Sequence, residues 1–201
     1  LYNNVSYKCS RLVTNSYSTS FSLGVSLLKR DFVMPIHAIY GFVRFADEIV
    51  DTFHSSNKRE LLDRFVKDTH DAINDKISLN PILHSFQDTV NKYNIDVELI
   101  NTFLRSMEMD LDKNKYNQVG YEEYILGSAE VVGLMCLKIF VDGDEKKYQE
   151  LKHDAMKLGS AFQKINFLRD LKADVHSLGR AYFPGFEAEN FNTETKKAIE
   201  A

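Results

Sequence analysis

Residues 35–53 read Pro-Ile-His-Ala-Ile-Tyr-Gly-Phe-Val-Arg-Phe-Ala-Asp-Glu-Ile-Val-Asp-Thr-Phe. The apolar residues recur at helical rather than strand spacing, and Pro35 suits a first turn, where no amide donor is needed. The stretch therefore predicts a long helix over 35–53. Residues three and four apart share a helix face, so Tyr40, Arg44, Asp47 and Asp51 form one line down it. The flanking Ile39, Phe42, Val43, Phe45, Ala46, Ile49, Val50 and Phe53 leave little polar surface. Carboxylates in such surroundings are costly unless a cation compensates them. A solvated Arg44–Asp47 pair is the competing reading, and the apolar flanks argue against it.

The same pattern recurs near the other end. Gln163, Asn166, Asp170 and Asp174 fall on one side of a helix, with Arg169 beside them and Phe162, Ile165, Phe167, Leu168 and Leu171 around them. Both ladders are expected to be buried and to face inward. Two oxygen ladders on separate helices suit a hard divalent cation, which takes one or two carboxylates together with phosphate oxygens. Neighbouring arginines would grip a phosphate in the bidentate manner of a guanidinium.

Three prolines and nine glycines punctuate a chain of 201 residues whose patterning is helical almost throughout. The expected helices run 2–14, 18–29, 35–53, 58–77, 81–93 and from Asp96 to about Asp110. Residues 112–118 read as a polar loop. Residues 120–141 are apolar nearly all round and read as one central helix. Asp144 caps a very long helix to about Val175, and residues 180–190 read as loop. Asn57, Asn80 and Asp96 stand at expected N-caps. No repeat or linker divides the chain, so residues 1–201 are expected to form one all-α domain. Both ends read as cut from a longer polypeptide.

Composition narrows the function classes. A hydrophobic fraction of 44%, a charged fraction of 27% and a net charge of −4 are those of a soluble globular domain without the basic stripe that nucleic acid requires. Cys9 and Cys136 match no metal or redox spacing, and the opening residues lack the order of a signal segment. A reducing, cytoplasmic compartment is the expectation. The apolar run 131–141 is too short to cross a bilayer. Glu150-Leu151-Lys152-His153 has di-iron spacing, but such sites need two of these motifs, and His153 lies in a lysine-rich segment. His37 reads as a packed or capping residue and His176 as a loop histidine.

The residues together resemble a family. Asp-x-x-x-Asp at 47–51 followed by Asn-x-x-Arg-Asp-x-x-x-Asp at 166–174 is similar to the paired motifs of the squalene and phytoene synthases, and most like the bacterial phytoene synthases. Ser18-Thr19-Ser20-Phe21-Ser22, Tyr40 to Asp47, Tyr124 to Gly133 and Gly179-Arg180-Ala181-Tyr182-Phe183-Pro184 resemble that family's other segments, in order. Glu130 stands where the family usually has glycine and Ser128 where it has valine.

The resemblance implies an isoprenoid-synthase helical bundle around a central apolar cavity, incomplete at its C-terminus. It implies head-to-head condensation of two prenyl diphosphates, geranylgeranyl diphosphate first among them, through a cyclopropyl diphosphate to a hydrocarbon such as phytoene. Asp47, Asp51, Asn166, Asp170 and Asp174 would hold Mg2+, with Mn2+ the alternative ion and Glu48 a further candidate ligand. Ser18, Ser20, Tyr40, Arg44, Gln163, Arg169 and Arg180 would contact diphosphate, while Phe21 and Tyr124 would lie near the reacting carbons. A squalene or dehydrosqualene synthase acting on farnesyl diphosphate is the alternative, with NADPH needed only for squalene. A terpene cyclase and an inactive binding homologue rank below it. An oily product makes peripheral membrane contact the further expectation; oligomeric state is left open.

Overall fold

The computed structural model describes residues 1–112, 116–173 and 182–184. Within them the chain is helical and contains no strand. The helices are α1 (Tyr2–Tyr17), α2 (Thr19–Ser26), α3 (Arg30–Asp51), α4 (Lys58–Asp75), α5 (Pro81–Tyr93), α6 (Val97–Asp112), α7 (Gln118–Ile125), α8 (Val131–Phe140) and α9 (Glu145–Ala173), with a π-helical turn at Leu126–Glu130 between α7 and α8.

Short polar side chains set most of the helix starts. Ser18, Asn57, Asn80 and Asn117 each accept a hydrogen bond from a first-turn amide, the tightest being Gly120 N to Asn117 Oδ1 at 2.8 Å. Asp96 and Asp144 do the same for Glu98 N and Lys147 N. The expected caps at 57, 80, 96 and 144 thus stand where the sequence placed them.

The helix expected from Pro35 begins five residues earlier, at Arg30, so Pro35 lies inside it. The proline removes one amide, whose acceptor would have been the carbonyl of Asp31. Asp31 is exposed, and water can take that carbonyl. The first helix runs on to Tyr17, three residues past the expected end.

α3 is the central strut, packed against α1, α4, α5, α6 and α8. Its Phe42 is fully buried and lies 3.8 Å from Phe86 of α5, nearly parallel to it. Phe65 and Phe103 close over the same ring at 5.5 and 5.4 Å. On the opposite side α3 meets α1 through small groups. The Ser10 hydroxyl bonds that of Ser85 at 2.7 Å, and a β-carbon on Gly41 would come within 2.9 Å of Ser10 Oγ.

The single helix expected over 120–141 is broken into α7, the π turn and α8. Close packing accounts for the break. A β-carbon at Gly127 would lie 2.6 Å from Ser106 Cβ of α6, and one at Gly159 of α9 would lie 2.8 Å from the Ala129 carbonyl oxygen. The π turn is wedged between α6 and α9, and an extra residue in the turn sets the phase between the segments either side. The expected polar loop at 112–118 also differs in part: Tyr116 is buried, while residues 113–115 lie outside the described residues.

Burial on α9 corrects a second expectation. Gln163, Asn166, Phe167, Asp170 and Leu171 turn inward, whereas Phe162, Ile165 and Leu168 are 61%, 59% and 44% exposed. Apolar residues lie all around this helix, and only one side of it is covered by the described residues. The second ladder is therefore the inner edge of an otherwise open helix. No helix among the described residues is long and apolar enough to cross a membrane.

Candidate active site

α3 and α9 bring the two ladders onto one cavity of about 310 Å³. From α3 it is lined by Tyr40, Val43, Arg44, Asp47 and Asp51, and from α9 by Gln163, Asn166, Phe167, Arg169 and Asp170. Asp110 of α6, Tyr124 of α7 and Tyr182 complete the wall. The walls of this cavity are mostly carboxylates, amides, phenols and guanidinia, with Val43 and Phe167 among them.

The electrostatics are those of crowded anions. Burial, then Asp51, pushes the Asp47 carboxyl up to about 7, with Asp110 and Glu48 adding to the effect and Arg44 opposing it. Part of the Asp47 side chain, 31%, remains accessible. Arg44 Nη1 stands 4.0 Å from Asp47 Oδ2, and Arg44 Nη2 is bound closely to Glu48 Oε1. The Arg44 guanidinium lies over the Tyr17 ring at 4.3 Å. Its Nε is buried and meets no acceptor among the described residues. Arg169 grips Asp170 through Nε at 2.8 Å and Nη2 at 2.6 Å.

The other candidates fall in different places. Phe21 stacks on Tyr40 at 4.8 Å, one ring removed from the cavity. Ser18 caps α2 by accepting from Phe21 N, and Ser20 is exposed; neither lines the cavity. Glu48 faces Arg44 and is absent from the lining. Glu130 hydrogen-bonds Ser160 and faces Lys164, so this departure from the family pattern is answered by α9, while Ser128 Oγ is buried with no partner among the described residues. His37 is buried and His153 exposed, and Asp174, His176 and Arg180 lie outside the described residues.

Sequence reasoning missed Asp110. Its Oδ2 accepts from Tyr124 at 2.7 Å, and its Oδ1 accepts from Tyr116 and Tyr182, both at 3.1 Å. The sequence signal was a set of tyrosines, whose phenols need acceptors when buried.

The donor set fits a hard cation: Asp47, Asp51, Asn166 and Asp170 offer carboxylate and carboxamide oxygens around one cavity of about 310 Å³. No three His, Cys, Asp or Glu side chains among the described residues converge as a closed metal cluster. The arrangement is an open set of carboxylates that a cation and an anion would complete together.

An all-helical bundle that brings Asp47, Asp51, Asn166 and Asp170 onto one cavity narrows the class of protein, and comparison with known proteins identifies it. Residues 14–200 match the squalene/phytoene synthase family, and the chain belongs to that family. It is 30% identical over 200 residues to a phytoene synthase of Arthrospira platensis, covering 93% of this chain and 63% of that protein. Against phytoene synthase 2 of Solanum lycopersicum the identity is 32% over 179 residues, covering 86% and 56%. The chain thus spans about 60% of the length of these relatives. Its fold is that of a dehydrosqualene synthase solved in complex with ligand (TM-score 0.84, 22% identity, 98% of this chain and 72% of that one). It also matches a squalene synthase of Alicyclobacillus acidocaldarius (TM-score 0.77, 24% identity, 90% and 67%).

Proposed function

We propose that the protein is a prenyltransferase that joins two prenyl diphosphates head-to-head, by way of a cyclopropyl diphosphate, to a linear hydrocarbon, with geranylgeranyl diphosphate as substrate and phytoene as product. The observation that carries this reading is the meeting of both ladders and two arginines on one cavity. The likeness to phytoene synthases directs the choice of substrate.

In this reading Asp47, Asp51, Asn166 and Asp170 hold Mg2+ or Mn2+ against the substrate diphosphate, joined by Asp174. Bound there, the ion would neutralise the leaving diphosphate and ease its departure from the allylic carbon. Arg44 carries a buried donor for a phosphate oxygen, and Arg169 exchanges part of its grip on Asp170 for the same anion. Ionisation of the allylic C–O bond leaves a cation that must be kept from water. Phe167 and the Tyr40–Phe21 stack offer aromatic faces to it, with Tyr124 beside them on the cavity wall. The second substrate's double bond then attacks the cation, and a proton is lost as the cyclopropane closes. Ionisation of the remaining diphosphate, rearrangement and loss of a second proton give the hydrocarbon, with the released diphosphate as proton acceptor in each step. Ser18, Ser20, Gln163 and Arg180 remain candidate diphosphate contacts. The insoluble product implies discharge at a membrane surface, from a protein of the cytoplasmic compartment.

The test is a product assay on the full-length protein with Mg2+, offered labelled geranylgeranyl and farnesyl diphosphate separately and without a nicotinamide. A C40 hydrocarbon from the first supports the reading. A C30 hydrocarbon from the second would move the protein to the dehydrosqualene branch, and one formed only with NADPH to squalene. No hydrocarbon under any of these conditions would overturn the assignment.

A further inference from the structure

Among the described residues, Asp110 is the one carboxylate of the cavity wall that belongs to neither ladder. It is buried in the last turn of α6, and three phenols point their hydrogens at it from separate parts of the chain: Tyr116 before α7, Tyr124 within α7 and Tyr182 beyond α9. The rings pack as one block. Tyr116 stands 5.3 Å from both Tyr124 and Tyr182, and Phe167, beside Asn166, stacks on Tyr182 at 4.4 Å. A buried anion with three donors is costly to assemble and rigid once assembled. As a purely structural staple it would be an expensive choice, since apolar groups of the same volume would pack as well.

Its position offers another use. Tyr124 and Asp110 line the cavity that Asp47 and Asp170 line. At 2.7 Å the bond from Tyr124 to Asp110 is the shortest of the three, and it commits the only hydrogen of that phenol. The Tyr182 hydroxyl stands 3.5 Å from the same oxygen, and the cavity lined by both rings is open to the lone pair that remains. Burial, and Asp110 behind it, raise the Tyr124 phenol well above its ordinary value, in keeping with a hydrogen held in the bond to Asp110.

We propose that Asp110 is a positioning residue for Tyr124: it holds the phenol hydrogen away from the cavity and presents the phenol oxygen, as a fixed neutral dipole, to the cation formed there. This rests on the prenyl-transfer reading above, and the test separates the two. Asp110→Asn keeps the shape and removes the charge; Tyr124→Phe removes the oxygen. Each should lower kcat by about 10- to 100-fold with KM within about threefold, as loss of a residue that orients a reacting group does. The double variant should be no slower than the worse single one, because both act through the same hydroxyl. A twofold or smaller loss in Asp110→Asn, or losses that multiply in the double variant, would overturn the proposal. If Asp110→Asn does not fold, Asp110→Glu enters the same cycle with the charge kept and displaced. A readout without turnover is the Cζ resonance of Tyr124 in protein carrying ¹³C at tyrosine Cζ, assigned by its loss in Tyr124→Phe. It should move in the Asp110 variant, and an unmoved signal would refute the contact. A wild type that makes no hydrocarbon would refute the function alone, and the resonance would still decide the role of Asp110.

Discussion

Arg44 and Asp47 stand one turn apart on α3 with 4.0 Å between Nη1 and Oδ2, while the other arm of the guanidinium is taken by Glu48. The pair is loose, so the arginine offsets only part of what burial and Asp51 impose on Asp47, whose carboxyl is left at about 7. A carboxyl raised in the folded state binds more protons there than in the unfolded chain across the interval from its ordinary value to 7. Stability without a divalent ion should therefore fall as pH rises from about 4 to 7 through this group. Asp47→Asn should raise the melting temperature of the metal-free protein at pH 8 and lose the further rise that Mg2+ with diphosphate gives the wild type. Thermal melts of both proteins, with and without those additions, check the prediction.

His37 acts in the opposite direction. It is buried in α3, and burial, with Arg11 second, lowers its imidazole to about 4. The unfolded chain binds the extra proton between about 4 and 6.5, so this group costs stability as pH falls through that interval. Replacing His37 with leucine should flatten the acid limb of a denaturant-midpoint profile, with a change on the order of 1–3 kcal/mol between pH 7 and 4.5. An unchanged acid limb would show that His37 is solvated in the native state.

Phe42 joins the ring stack to the site helix. Phe42→Ala leaves a cavity among Phe65, Phe86 and Phe103, and should cost about 3–5 kcal/mol in urea unfolding. Because Asp47 lies five residues further along the same helix, loss of activity should accompany loss of stability.

Gly159 gives a more selective probe. A β-carbon there meets the Ala129 carbonyl oxygen at 2.8 Å, so Gly159→Ala must push α9 away from the π turn. The expected cost is about 1–3 kcal/mol. Asn166 and Asp170 ride on the same helix, so Mg2+-dependent turnover should fall more than stability does. Comparing kcat/KM with the urea midpoint tests this.

Much of this was legible from residue spacing. The ladders at 47–51 and 163–170 could be read because a four-residue repeat fixes a helix face whatever the tertiary structure. The caps at Asn57, Asn80 and Asp144 were legible for the same local reason. What sequence could not show is where a helix finds its neighbours. The apolar residues of α9 suggested burial all round, yet Phe162 and Ile165 face outward, because periodicity describes a surface and not what covers it. The π turn depends on a contact between Gly127 and Ser106, twenty-one positions apart, and nothing local announces it. Asp110 was hidden in the acidic run Glu108-Met109-Asp110-Leu111-Asp112, which reads as a solvated helix end until Tyr116, Tyr124 and Tyr182 are seen to converge on it.

The central claim is that the two ladders form one site for a metal-bound diphosphate. Calorimetric titration with geranylgeranyl thiodiphosphate, whose sulfur resists ionisation, addresses it most directly. The account predicts binding that requires Mg2+ and is lost in both Asp47→Asn and Asp170→Asn, each folded as the wild type. Binding that is indifferent to Mg2+, or that survives either substitution, would contradict it.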